Sequence, residues 1–359
     1  MAVSTFGLVG SGWRAEFFLR IAAALPEQFR VTGIVVRDAM KGRVWEARWN
    51  IPTYRTLDDL LRATAPAFIV LSVPRAVAPS LLHELAAHQV PVLTETPPAL
   101  DLAGLRAVWQ LVERGAHIEV AEQYLFQPLH AARLAVAQSG MLGTLSQAQV
   151  SVMNDYHGIS LLRHFLGIGF DNATIVARTF VSPIVAGPTR QGPPPEERIA
   201  TPTQVIAQLD FGSRLGIYDF ANDQHRSWIR SSRLLVRGDR GEITDMQVRY
   251  LHAFDQPITL ELRRENAGEN GNLEGYYLKG ILAGADWVYR NAFAPARLND
   301  DEIAVATCLT KMAAAVADDR GPQGYPFAQA AQDHYLSLMM QEAIATRQPV
   351  TTVTQPWAS

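Results

Sequence analysis

The chain has 359 residues, 48% of them apolar and 19% charged, with a formal net charge of −3 and one cysteine. That length exceeds one ordinary core and predicts two domains, and the composition is that of a folded globular protein. The small negative charge gives no electrostatic basis for binding nucleic acid or acidic lipid, Cys308 alone excludes an internal disulfide or a cysteine zinc site, and no apolar stretch is long enough to span a bilayer.

Thr5–Val9 is an apolar run of strand character that breaks into Gly10-Ser11-Gly12-Trp13-Arg14-Ala15. This is G-x-G-x-x-A between a predicted strand and an amphipathic helix, the context that marks a dinucleotide site. The glycines permit a tight turn and close approach of a pyrophosphate. Ala15 is small enough for helix–strand packing, and the helix start offers free N–H groups. With a strand opening at residue 5, there is no room for a secretory signal, and the cytoplasm is the expected location.

Further strands are predicted at Val31–Val36, Phe68–Ser72, Val90–Leu93 and Ile118–Ala121. Helical periodicity falls at Glu16–Leu25, Met40–Trp49, Leu57–Ala63, Val77–His88 and Leu102–Arg114. Such alternation predicts a doubly wound parallel sheet covered on both faces. After residue 125 the pattern changes. Helices are expected at Leu129–Gln138 and His157–Leu166, then strands at Ala173–Val181, Thr203–Phe211, Leu215–Phe220, Trp228–Val236, Glu242–Val248 and Ile258–Leu262. Helices return at Asp301–Asp318 and Phe327–Thr346. The expected organisation is a Rossmann domain over residues 1–124, then an α+β domain over 125–359 with a large, mostly antiparallel, open-faced sheet.

The second strand ends at Val36-Arg37-Asp38. An NAD site places an acid about 20 residues past the glycines for the adenosine 2′-hydroxyl, whereas an arginine suits a 2′-phosphate. Val36 stands where the acid is expected, with Arg37 and Asp38 following, so NAD and NADP both remain open.

Landmarks along nearly the whole chain resemble the Gfo/Idh/MocA oxidoreductases, the family of glucose-fructose oxidoreductase and inositol dehydrogenase. They are the Gly10–Ala15 turn, Ser72-Val73-Pro74 (like A-T-P), Thr94-Glu95-Thr96-Pro97 (like E-K-P) and Glu122-Gln123-Tyr124 followed by Pro128 (like E-N-Y-x-x-x-P). His157–Gly167 is similar to H-x-x-D-L-L-R-x-L-L-G, and Ala328–Glu342 to the A-x-x-D helix. The resemblance implies NAD or NADP held by Gly10–Ala15, Arg37, Asp38, Ser72–Pro74, Glu95, Thr96 and Gln123, and a carbohydrate-like substrate near Tyr124, Asp155 and Ser160. No metal is implied. The chain departs from the family at Thr96, where a catalytic lysine stands, at Met153 and Ser160, where aspartates stand, and at Ala78, where a histidine stands.

A hydroxyl such as that of Thr96 has no accessible ionisation near neutral pH and serves only to position a substrate oxygen. His157 is the candidate acid/base because imidazole titrates near pH 6.5, with Tyr156, Asp155 and Tyr124 as candidates for orienting a polyol or the imidazole. The expected activity is NAD(P)-dependent oxidation or reduction of a sugar, cyclitol or related polyol. Transient-oxidation cleavage of a glycoside and a non-catalytic cofactor or sugar sensor are the alternatives. A homodimer or homotetramer is expected through the open sheet face.

Overall fold

The computed structural model describes residues 3–268, 276–318 and 321–358. The chain opens as β1 (Ser4–Val9), α1 (Ala15–Ala24), β2 (Phe29–Val35), α2 (Ala39–Trp49), β3 (Thr53–Tyr54), α3 (Leu57–Thr64), β4 (Phe68–Leu71), α4 (Ala78–Ala87), β5 (Val92–Thr94), α5 (Leu102–Glu113) and β6 (Ile118–Val120). The six strands form one parallel sheet in the order β3-β2-β1-β4-β5-β6. Chain order reverses between β1 and β4, which puts the switch point of the sheet at their carboxyl ends. All four residues of β4 are fully buried, which is why this strand reads as an unbroken apolar run. Three of the helices start on side-chain caps: Asp38 accepts from Lys41 N, Thr56 from Asp59 N and Asp101 from Gly104 N.

The chain continues as α6 (Pro128–Gln138), β7 (Leu145–Ser151), α7 (Asp155–Leu166), β8 (Thr174–Val181), β9 (Ile184–Val185), β10 (Ile199–Ala200), β11 (Thr203–Asp210), β12 (Leu215–Ala221) and β13 (Arg233–Gly238). It ends as β14 (Gly241–Thr244), β15 (Gln247–Ala253), β16 (Gln256–Ala267), β17 (Tyr277–Ala283), β18 (Asp286–Arg290), α8 (Asp300–Asp318), α9 (Phe327–Thr346) and β19 (Val350–Thr351). An eleven-stranded sheet runs β18-β17-β16-β15-β14-β13-β7-β12-β11-β8-β19. Its β7–β12 pair is parallel, while β8, β11, β13, β14, β15 and β19 pair antiparallel with neighbours.

Two compact units emerge. The first holds residues 1–128, 265–280 and 290–331, and the second holds 129–264, 281–289 and 332–359. Within the first, the fully buried Glu119 carboxylate accepts from Gln323 N (3.0 Å) and Gly324 N (2.9 Å), tying the segment after α8 to the end strand of the parallel sheet. Val120 N donates to Tyr325 O at 2.9 Å beside it. Within the second, α7 packs on β7 and β12. Ile175, Ala177, Ala207, Leu209, Tyr218 and Phe220 are buried in that sheet, alternating with exposed or half-exposed neighbours.

Several expectations shift. Residues 242–248 form two strands, because Asp245 turns the chain with φ +52°. The strand expected from Trp228 begins at Arg233, leaving Trp228 and Ile229 exposed. β3, β7, β17 and β18 were not legible as strands, since they are short, half-polar or interrupted by glycine.

His130 on α6 is buried beside Arg133, and burial first, then the Arg133 charge, pushes its pKa down to about 3. The unfolded imidazole takes up a proton below about pH 6.5, so the stability that the neutral form contributes is lost as pH falls from there toward 3. Urea melts of the wild type and His130→Gln at about pH 7 and about pH 5 check this. The wild type should lose more stability on acidification than the variant, and equal losses would remove His130 from the acid limb.

Candidate functional site

The first group of site residues lies at the switch point. Gly10 N donates to Val35 O (3.3 Å) and Ser72 N to Val9 O (2.9 Å), so the chain leaving β1 is held between the ends of β2 and β4. Gly10 has φ +123°, and a Cβ there would lie 1.9 Å from Ser72 O. Only glycine satisfies both the conformation and the approach. A Cβ on Gly12 would meet nothing within 4 Å, so this side of the loop is open. Ala15 is fully buried at the start of α1.

Arg14 leaves this loop and its Nε donates to Glu95 Oε1 at 2.8 Å, just past the end of β5. The Arg14 side chain is 12% exposed, and its guanidinium carbon lies 4.9 Å from the Phe17 ring centre. Burial opposes the Arg14 charge, but the Glu95 carboxylate and its hydrogen bond outweigh that, so the pKa is held above its ordinary range. Arg14 Nη2 is buried without a hydrogen-bond partner among the described residues, and so is Gln123 Oε1, three residues past β6. Glu95 N is anchored on Leu71 O and Ala121 N on Thr94 O, which fixes the loops after β4, β5 and β6 along one edge. Ser72 is buried, Val73, Glu95 and Thr96 are partly exposed, and Pro74 is exposed.

On the β2 side, Val36 is buried and hydrogen-bonded through both backbone groups, N to Tyr54 O and O to the Arg55 guanidinium. Arg37 is exposed. Asp38 caps α2, and backbone N–H groups of Lys41 and Met40 hold its carboxyl below the usual range.

The second group gathers at the start of α7, in the other unit. The helix begins at Asp155, whose N donates to Tyr218 Oη at 2.8 Å. Burial first, then the Asp155 charge, pushes the Tyr218 phenol up. A Cβ on Gly158 would lie 2.6 Å from Tyr218 Cε2, so glycine lets the Tyr218 ring pass beneath the helix. The Tyr156 ring lies 4.3 Å from the His157 ring and 5.6 Å, edge-on, from that of His334 on α9. Gln341 Nε2 donates to Asp155 Oδ1 at 3.3 Å. His225 is held below its ordinary pKa by burial first, then by the Arg226 charge and by His157 among its neighbours. Asp155, Tyr156 and His157 are therefore brought together. Ser160 is fully enclosed, and His164 Nδ1 donates to Ser160 O at 2.8 Å, which commits that face of the imidazole to the helix backbone.

His334 and His225 were not singled out from sequence. His334 follows Asp333, the acid of the A-x-x-D pattern, and that adjacency was its only signal. Asp333 pairs with Arg163, both enclosed, and Arg163 Nε also donates to Gly169 O at 3.2 Å. This buried pair locks α7 to α9 and sets Tyr156 against His334. Asp58, Glu84 and His88 have ligand atoms within 4.8 Å of one another, but all three are exposed, and no metal is assigned to them.

Residues 4–122 match the Gfo/Idh/MocA family model, described as "Oxidoreductase family, NAD-binding Rossmann fold". No curated protein matches the chain. Among solved structures, an oxidoreductase from Agrobacterium radiobacter in complex with NAD+, L-tartaric acid and magnesium is similar at TM-score 0.69 and 17% identity, covering 98% of each chain. A putative myo-inositol dehydrogenase from Sinorhizobium meliloti has TM-score 0.67 and 13% identity over 98% of this chain and 100% of its own. The WlbA dehydrogenase from Chromobacterium violaceum, in complex with NADH and UDP-GlcNAcA, has TM-score 0.66 and 12% identity over 99% and 97%. The chain thus has the fold of these oxidoreductases, and its residues 4–122 match the family's NAD-binding Rossmann pattern.

Removing one partner of a buried ion pair leaves an uncompensated charge, at a cost of about 3–5 kcal/mol. Asp333→Ala should lower the unfolding free energy by about that amount in urea melts. A loss no larger than that of a surface substitution would contradict the role given to the pair.

Proposed function

We propose that the protein is an NAD(P)-dependent oxidoreductase acting on a sugar, cyclitol or related polyol, with His157 as its acid/base. The observation that carries this reading is the approach of Gly10 to Ser72 beside an open Gly12, a loop shaped for a ligand that must touch backbone. The residues fit a dinucleotide: the Gly10–Ala15 loop and the start of α1 suit its pyrophosphate, and Ser72–Pro74, Glu95, Thr96 and Gln123 line the same strand ends. The unpaired Arg14 Nη2 and Gln123 Oε1 are polar groups that a ligand would satisfy. Arg37 and Asp38 would face the adenosine side.

Bound nicotinamide supplies the hydride acceptor or donor. The chain's part is the hydroxyl proton of the substrate carbinol. The His157 imidazole takes that proton in oxidation and returns it in reduction. Tyr156, whose ring lies tilted 4.3 Å from the imidazole, orients it, and Asp155 and Tyr124 offer polar groups to substrate hydroxyls. Thr96 positions a substrate oxygen and takes no part in the proton transfer. The neighbours in complex with UDP-GlcNAcA or described as inositol dehydrogenases support a polyhydroxylated substrate.

The test is a panel of polyols, inositols and sugar acids with NAD+ and NADP+, followed by absorbance of the reduced cofactor. The wild type should turn over at least one, and His157→Ala should lose about 100-fold or more in kcat. Unchanged turnover in His157→Ala would remove it from the chemistry. Absence of dinucleotide binding by calorimetry would reject the whole reading.

A further inference from the structure

We propose that Arg14, together with Gln123, recognises the nicotinamide end of the dinucleotide through its amide, the Arg14–Glu95 ion pair serving as a preformed cationic clamp in a chain that has Thr96 in place of a lysine. The inference rests on the oxidoreductase reading above and adds the residue that orients the cofactor.

The direction in which the Arg14 side chain runs carries the argument. In a doubly wound sheet the end of β2 faces the adenosine ribose and the loop after β1 faces the pyrophosphate, so the other half of the dinucleotide extends over the strands beyond the switch point. Here those strands are β4 and β5. Arg14 starts in the pyrophosphate loop and ends on Glu95, past β5, so its guanidinium spans that second half. Phe17 stacks under it and Glu95 fixes Nε, leaving the planar fork with little rotational freedom.

The hydrogen-bond inventory then points to the ligand. Arg14 Nη2 is a buried charged donor with no acceptor among the described residues, and leaving such a donor unpaired is costly. Gln123, 6% exposed, has a buried Oε1 with no donor. A phosphate would satisfy the arginine but leave the glutamine oxygen facing acceptors only. A carboxamide satisfies both, its oxygen accepting from Arg14 Nη2 and its NH2 donating to Gln123 Oε1. Both residues follow parallel strands of the same sheet, on the edge where Ala121 N bonds Thr94 O next to Glu95.

The experiment uses the full chain and reads binding. Dissociation constants are measured by calorimetry for NADH or NADPH, whichever binds the wild type tighter, and for the matching ADP-ribose, which lacks the nicotinamide. Arg14→Lys retains a charge opposite Glu95 but has no second fork nitrogen, and thermal melts verify that it folds. Arg14→Met and Gln123→Leu complete the set.

The wild type should bind the reduced cofactor tighter than ADP-ribose. Arg14→Lys and Arg14→Met should lose about tenfold or more of the cofactor affinity, while ADP-ribose affinity stays within about twofold. Gln123→Leu should show the same selective loss, smaller in size. Equal losses for both ligands would mean that Arg14 holds the pyrophosphate, and unchanged cofactor affinity would mean that solvent satisfies Nη2. Either outcome overturns the inference with the oxidoreductase reading intact, whereas a wild type that binds neither ligand overturns both.

Discussion

Everything at the candidate cofactor site depends on how closely the backbone of Gly10 lies against Ser72. A side chain at residue 10 would occupy the position of the Ser72 carbonyl, and the left-handed φ there excludes it a second time. Because the two backbones touch, the chain leaving β1 cannot cross over the end of β4. It turns outward instead, which exposes Gly12 and starts α1 facing the crevice at the switch point. The same turn projects Arg14 toward Glu95 rather than into solvent. One steric constraint thus sets the loop, the helix start and the ion pair.

The ion pair carries a different kind of information from the loop. Glycine at residue 10 satisfies geometry, and any sequence folding this turn needs it. An arginine buried in the crevice satisfies nothing local: it brings a desolvation cost, relieved by Glu95, and leaves one nitrogen unmatched. The proposed ligand would complete it. The second unit shows the contrasting case. Arg163 and Asp333 are enclosed with each other and with Gly169 O, and their role is to hold α7 on α9 so that Tyr156 lies between His157 and His334.

Much of the first unit was legible in the sequence because parallel strands buried on both faces leave unbroken apolar runs, as Phe68–Leu71 does. The glycine turn was legible because its chemistry is local. β7 was not, since Ser146, Gln147, Gln149 and Ser151 make Leu145–Ser151 read as a polar link, although it lies inside the large sheet. The turn that splits 242–248 was missed because Asp245 takes the left-handed conformation without a glycine beside it. Among the candidate residues of each unit, the distinction is between local and distant partners. His157 and Tyr156 stand out by type and order, but Arg14 meets Glu95 across 81 positions, and the ring of His334 reaches Tyr156 from the far end of the chain. No spacing rule announces such pairs, so the groups that shape the site emerge only with the fold.

The central claim, that the strand ends around Gly10 form a dinucleotide crevice with its nicotinamide half toward Glu95, is tested most directly by a crystal structure of the protein grown with a saturating reduced cofactor. The account predicts density for a pyrophosphate against residues 10–15 and for a nicotinamide amide within hydrogen-bond distance of Arg14 and Gln123. A nucleotide bound elsewhere, or a crevice free of density at saturating ligand, would contradict it.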